Sequence, residues 1–143
     1  MSVMTGKCLC EKIAFQIDGP LGPIYNCHCS KCRRWHGAAF RTRASINRDQ
    51  FQWLRGSELL SSYYSSDNVC KTFCSHCGSP LITTYRDHPD VIGVPLGGLE
   101  GVSATPEAHI FTDHKADWFT ITDDLPQYPG WPGSESAVRK TDN

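Results

Sequence analysis

Apolar and polar positions alternate one by one over much of this chain, and no alternating run is long. Ile13, Phe15 and Ile17 alternate with Ala14, Gln16 and Asp18 and stop at Gly19 and Pro20, which predicts a strand after a turn. Residues 24–29 predict the next strand. Residues 38–46 predict another, with Phe40 inward and its arginines outward. Residues 59–64 and 69–73 predict paired strands around the turn formers Ser65, Ser66, Asp67 and Asn68. Residues 81–85 and the apolar, β-branched run 91–94 add two more, and 109–112 and 118–122 are short candidates. Residues 47–53 are ambiguous, although Phe51 and Trp53 are expected to pack. The glycine-rich stretch 95–101 reads as loop, 126–133 as a proline- and glycine-rich cover over the surface, and 134–143 as a polar, frayed end. Ser30–His36 suits a short helix, with Ser30 as N-cap and Gly37 as its stop. The pattern predicts a single mostly-β domain over 1–143 with little helix.

Composition makes the core a modest one. Of 143 residues, 39% are hydrophobic and 20% charged, so metal sites would supply part of the stability. Nine prolines and twelve glycines favour short strands and turns over long helices. The net charge of −1 argues against a polyanion partner such as nucleic acid. That average hides a local bias. Lys31, Arg33, Arg34, Arg41, Arg43 and Arg48 fall between Gly19 and Arg48 with no acid among them, whereas 100–143 holds eight acids and three bases. The bias reads either as ordinary solvated surface or as a positive rim that holds an anionic ligand and supports nearby thiolates. The first six residues lack a basic start followed by an apolar run, and no stretch is long enough to cross a bilayer. The expectation is a cytoplasmic protein with reduced thiols and no membrane partner.

The candidate chemistry lies in the cysteines. Cys8 and Cys10 form one pair, Cys27, Cys29 and Cys32 a cluster, and Cys74 and Cys77 a second pair followed by Gly78. An even total of eight admits disulfides, but crosslinks remove most unfolded-state entropy when they close long loops, and these cysteines sit in short motifs. A soft-ligand metal such as zinc fits the spacing better. Alternation along a strand points Cys8 and Cys10 to one side, and Cys27 and Cys29 to one side with His28 opposite. Gly78 can adopt the positive φ that lets the backbone bend under a metal. Two zinc ions with unequal numbers of ligands are expected, and a zinc with three protein ligands has room for a substrate. Spacing alone leaves open whether Cys8 and Cys10 share a metal with Cys74 and Cys77 or with Cys29 and Cys32.

These motifs resemble the family of glutathione-dependent formaldehyde-activating enzymes, which includes centromere protein V. The matching pieces are Gly6, Cys8 and Cys10, then Cys27-His28-Cys29-Ser30 with Cys32, then Phe73-Cys74 with Cys77-Gly78-Ser79-Pro80. His109-Ile110, Trp118 and the stretch 122–126 match later, so the likeness runs over residues 6–129. The resemblance implies an Mss4-like fold of stacked antiparallel sheets with zinc sites. It implies a closed four-sulfur structural zinc on Cys8, Cys10, Cys74 and Cys77, and a catalytic zinc with an open position on Cys27, Cys29 and Cys32. It implies the addition of glutathione to formaldehyde to give S-hydroxymethylglutathione, a carbon–sulfur lyase-type reaction on a small-molecule thiol.

Three thiolates on one zinc leave a net negative unit, which neighbouring cations would offset. Lys31, Arg33 and Arg34 are candidates for that role and for binding a substrate's carboxylates, or they point to solvent. Cys70 reads as a free buried thiol rather than a ligand, and His28 as a packing or hydrogen-bonding residue. His36 and His76 are candidate donors behind the ligands, and His109 with Trp118 could line a pocket. Three rival readings remain. One is a lyase or transferase on another thiol adduct, because the motif holds metal ligands and not residues that select the thiol. Another is a non-catalytic zinc-dependent binding module. The last, a Cys74–Cys77 redox pair, would need a thioredoxin-like alternation of strands and helices that the chain does not show. The oligomeric state is not legible in the sequence.

Overall fold

The computed structural model describes residues 3–133, so the polar end expected over 134–143 lies outside the described residues. In chain order the strands are β1 (Val3–Lys7), β2 (Ala14–Asp18), β3 (Ile24–Cys27), β4 (Arg41–Asn47), β5 (Phe51–Arg55), β6 (Leu60–Tyr64), β7 (Val69–Cys74), β8 (Pro80–Tyr85), β9 (Val91–Pro95), β10 (Leu99–Glu100) and β11 (Ala108–Ile110), with one α-helix, α1 (Ser30–His36). No helix among the described residues is long and apolar enough to cross a membrane. The mostly-β, stacked-sheet expectation therefore holds.

Contacts divide the chain into two compact units, each assembled from separate stretches of sequence. The first takes the chain up to Gly22 together with Ala44–Ala104. It holds an antiparallel sheet in the order β10-β1-β2-β5. It also holds the run β9-β8-β7-β6, antiparallel throughout. Their inner faces share one core, with Met4, Ile13, Phe15 and Ile17 from one layer and Leu81, Ile82, Ile92 and Val94 from the other. Two stretches fold more than their patterns suggested. Residues 47–53 become a 3-10 turn (Arg48–Gln50) and then β5, because the Gln50 side chain accepts from the Asn47 amide and donates to the carbonyls of Asp18 and Pro20. The stretch 95–101 carries the short strand β10 rather than loop alone.

Strand β1 is the element with the weakest sequence signal, and its inner face explains why. Only Met4 and Gly6 point inward, and glycine contributes no apolar side chain. The space above Gly6 belongs to Phe15, its cross-strand partner. A Cβ on Gly6 would lie 2.2 Å from the Phe15 ring. That ring is wedged between Phe51, stacked at 5.2 Å, and Trp53, edge-on at 5.9 Å, so it has little room to retreat.

The second unit takes Pro23–Arg43 together with the chain from Thr105. Here β11 pairs with β3 in parallel, with His109 opposite Asn26. The Asn26 and Thr42 side chains are joined at 2.6 Å. Helix α1 begins one residue earlier than expected at its cap. Cys29, not Ser30, is the N-cap, and its sulfur accepts from the Cys32 amide at 3.3 Å. The helix ends as expected at Gly37, whose φ of 59° is left-handed, and Arg33, Arg34 and His36 sit favourably in the last turn.

Two expectations fail in this unit. The arginines of β4 were expected to face outward, yet Arg41 and Arg43 are buried while Phe40 is only half-buried. Aromatic faces make that possible: Arg41 lies over Trp35 at 5.6 Å and Arg43 over Trp131 at 6.0 Å. Residues 118–122 form no strand. The Lys115 ammonium instead binds the carbonyls of Ala116 and Phe119, and the Phe119 amide turns back to Ala116, so the local chain satisfies itself.

Gly6→Ala should therefore destabilise the protein by about 1–3 kcal/mol, as overpacking does. Urea unfolding of the metal-loaded chain measures it, and a second change, Phe15→Leu, should recover part of the loss by vacating the space above residue 6.

Candidate metal centres

The first cysteine cluster forms where β1 and β7 each run into a tight turn. After β1 the Cys8 amide binds the Ile13 carbonyl and the Glu11 amide binds the Cys8 carbonyl. After β7 the Gly78 amide binds the Cys74 carbonyl at 2.8 Å, with Gly78 at a φ of 79°. Leu9 on the first turn donates its amide to the Ser79 hydroxyl on the second at 2.8 Å, which fixes the two turns against each other. The Sγ atoms of Cys8, Cys10, Cys74 and Cys77 all lie within 4.8 Å of one another. Backbone amides of Ile13 and Cys77 approach the sulfurs of Cys8 and Cys74 at 3.4 and 3.5 Å, as donors do around metal thiolates.

The second cluster forms at the end of β3 and the start of α1. Cys27 closes the strand beside Ile110 of β11, and the His28 amide binds the Ile110 carbonyl at 2.9 Å. Cys29 caps the helix and Cys32 lies in its first turn, so the strand end and the helix start aim three sulfurs at one point. These Sγ atoms also lie within 4.8 Å of one another. Among the described residues no fourth cysteine, histidine or carboxylate joins them. Ile110, Tyr25, Phe111 and Tyr128 pack against the cluster.

The donor chemistry fits a tetrahedral soft-ligand metal. Zinc–sulfur bonds of about 2.3 Å place tetrahedral sulfurs about 3.8 Å apart. The Cys8–Cys10 and Cys10–Cys74 separations are 3.5 and 3.9 Å. All eight cysteines are free thiols, so the disulfide alternative is set aside. Electrostatics point the same way. At Cys10 the Lys12 amide pulls the thiol pKa down, but burial and the sulfurs of Cys8, Cys77 and Cys74 carry it up to about 11. Cys77 drops to about 5: burial resists, and the Ser79 hydroxyl with the surrounding donors prevails. In the second cluster the thiols of Cys27 and Cys32 stabilise the Cys29 thiolate, which falls to about 2. Cys27 rises far above the ordinary range because Cys29, Cys32 and burial all oppose its charge. The three-cysteine knot thus supports the Cys29 thiolate and resists charge on Cys27 and Cys32, which is the deficit a divalent cation fills.

The remaining sequence candidates separate clearly. Lys31 and Arg34 are exposed, and Arg33 is half-buried with its Nε bound to the His114 carbonyl at 3.1 Å. The cation felt at Cys32 from β4 is Arg41, one of the basic residues of the candidate positive rim. At Cys32 the Cys27 thiol pulls the pKa down, Cys29 and burial raise it above the ordinary value, and Arg41 pulls against that rise. Cys70 belongs to neither cluster and is half-buried rather than buried. Trp118 is 73% exposed, whereas His109 is buried, so the two do not share an environment. His28 is fully buried and hydrogen-bonds His109 at 2.8 Å, as its polar-packing reading requires. Burial, with the charges of His109 and Lys115, lowers its pKa to about 4.

Comparison with known proteins agrees with this architecture. A family profile described as glutathione-dependent formaldehyde-activating enzyme matches residues 3–114. A Podospora anserina protein provisionally described as a glutathione-dependent formaldehyde-activating enzyme is 28% identical over 104 residues, 68% of this chain. The chain spans about half of that relative, 49% of its length. A crystal structure of a Rhodobacter sphaeroides protein is similar with a TM-score of 0.58 and 25% identity, covering 71% of this chain and 97% of that one. With the profile spanning both cysteine clusters, the chain belongs to the family of glutathione-dependent formaldehyde-activating enzymes.

Proposed function

We propose that this protein is a zinc-dependent carbon–sulfur lyase-type enzyme that forms or cleaves thiol–aldehyde adducts, with S-hydroxymethylglutathione as the adduct. The observation that carries the reading is the inequality of the two clusters, four thiols against three. Cys8, Cys10, Cys74 and Cys77 would enclose a structural zinc, and Cys27, Cys29 and Cys32 would hold a catalytic zinc with one position for substrate. A zinc so held supplies a Lewis acid that polarises a carbonyl and makes a thiol acidic at neutral pH.

The reaction balances without an oxidant. The sulfur lone pair forms a carbon–sulfur bond to the aldehyde carbon, the carbon–oxygen π bond breaks, and the thiol proton ends on the oxygen. The chain contributes by placing charge and excluding water. Cys27 and Cys32 are buried, and Tyr25, Phe111 and Tyr128 cover the cluster. Arg41 offsets the negative charge of the thiolates. Lys31, Arg33 and Arg34 are the side chains proposed to meet the carboxylates of an anionic thiol such as glutathione. The proposal treats 1–143 as one zinc-binding domain, since both units draw on interleaved stretches of chain. It places the protein in the cytoplasm, where free thiols persist.

Two measurements test this. Metal analysis of the wild-type chain should give one zinc per cluster; Cys32→Ser should lose one while its unfolding transition stays sharp, and Cys77→Ser should lose the other and unfold at much lower urea. Equal unfolding of both variants would remove the distinction of roles. Exchange NMR of glutathione and formaldehyde at equilibrium should show catalysed interconversion that Cys32→Ser lowers by about 100-fold or more. A panel of other thiols in the same assay identifies which one the protein prefers.

A further inference from the structure

A cavity of about 530 Å³ opens in the first unit, and the proposed reaction uses none of its residues. It is lined by Lys12, Arg55, Gly56, Glu58, Leu59 and His76. Three separate stretches of chain meet there, and hydrogen bonds to the backbone tie them together. The Arg55 guanidinium donates from Nε and Nη2 to the Glu11 carbonyl at 3.2 and 2.8 Å. Gly56, at a left-handed φ of 79°, packs so closely on the same turn that a Cβ would lie 2.1 Å from the Lys12 carbonyl. The Leu59 carbonyl accepts from the Ser75 amide at 2.8 Å, next to His76. The walls of the cavity are therefore fixed before a ligand arrives.

The charges on these walls are not matched within the fold. Among the described residues, the Lys12 ammonium, the Glu58 carboxylate and the His76 ring make no hydrogen bond or ion pair. Arg55 uses two of its five donors on Glu11 and keeps three, enough for a two-pronged grip on a carboxylate. Two permanent positive groups and one negative group thus line one cavity without neutralising each other.

A ligand of a single sign does not satisfy this arrangement. A phosphate or dicarboxylate would meet Glu58, and an amine would meet Lys12 and Arg55. A molecule that carries both signs close together answers all three. We propose that the cavity binds a free α-amino acid, with its carboxylate on Arg55 and Lys12, its ammonium on Glu58 and its side chain against Leu59. The volume lies within the usual span of small-molecule sites, about 300–1,000 Å³. Lys12, Arg55 and Glu58 are exposed, so the dissociation constant is expected to be about millimolar. The assignment is independent of the thiol–aldehyde reaction.

The experiment titrates the zinc-loaded full chain with norleucine, hexanoate and hexylamine and follows the backbone amides by nitrogen–proton NMR. The probes share one carbon chain; norleucine carries both charges and the others one each. Norleucine should shift the amides of Lys12, Gly56, Leu59 and His76 saturably and bind about 10-fold more tightly than either single-charge probe. Glu58→Gln, a change at an exposed side chain that leaves the fold intact, should weaken norleucine about 10-fold and tighten hexanoate, so that the preference for the zwitterion disappears. Lys12→Gln should weaken norleucine and hexanoate alike. Equal binding of norleucine and hexanoate by the wild type, no saturable shift at these amides, or a preference for norleucine that survives Glu58→Gln overturns the proposal.

Discussion

Crowding several thiols is unfavourable unless something positive sits among them, and both units of this chain crowd them. A sulfur that ionises stabilises itself by taking hydrogen bonds from its neighbours, and in doing so it keeps those neighbours protonated. Cys29 and Cys27 illustrate the pair of outcomes, one driven far down and the other far up by the same contacts. Only a cation lets all members of such a knot ionise together. The turns after β1 and β7, and the junction of β3 with α1, make sense as frames built to hold sulfur for that purpose.

The frames differ in a way that suits different tasks. Around the first cluster four sulfurs stand together, backbone amides donate to those of Cys8 and Cys74, and the Leu9–Ser79 bond locks the turns. A metal held by four sulfurs would have no position left for a substrate. Around Cys27, Cys29 and Cys32 the fourth direction has no protein ligand among the described residues, and the surroundings are aromatic and cationic. Phe111, which packs on this cluster, holds a left-handed φ of 55°, a costly geometry for a bulky side chain.

How much of this is legible in sequence depends on range. The two cysteine pairs and the triplet are local, so spacing found each of them, and Gly37 marked the helix end for the same reason; that Cys8 and Cys10 join Cys74 and Cys77 is a contact across 64 residues, which spacing left open and only the family resemblance implied. Strand β1 was missed because an inward glycine carries no hydrophobic signal, and its packing partner Phe15 lies on another strand. Arg41 and Arg43 were read as solvent-facing because charge alone says so; the Trp35 and Trp131 faces that cover them are supplied by the fold. The line from His28 to His109 spans 81 residues, and no periodicity reports a contact at that distance.

The central claim is that sulfur is divided unequally between two ions, and zinc K-edge X-ray absorption on the fully loaded protein counts it directly. Seven sulfurs over two sites predict an average of about 3.5 sulfurs per zinc, with a light-atom neighbour making up the rest. An average of about 4 sulfurs with no light atom would mean that both centres are sealed, and would contradict the account.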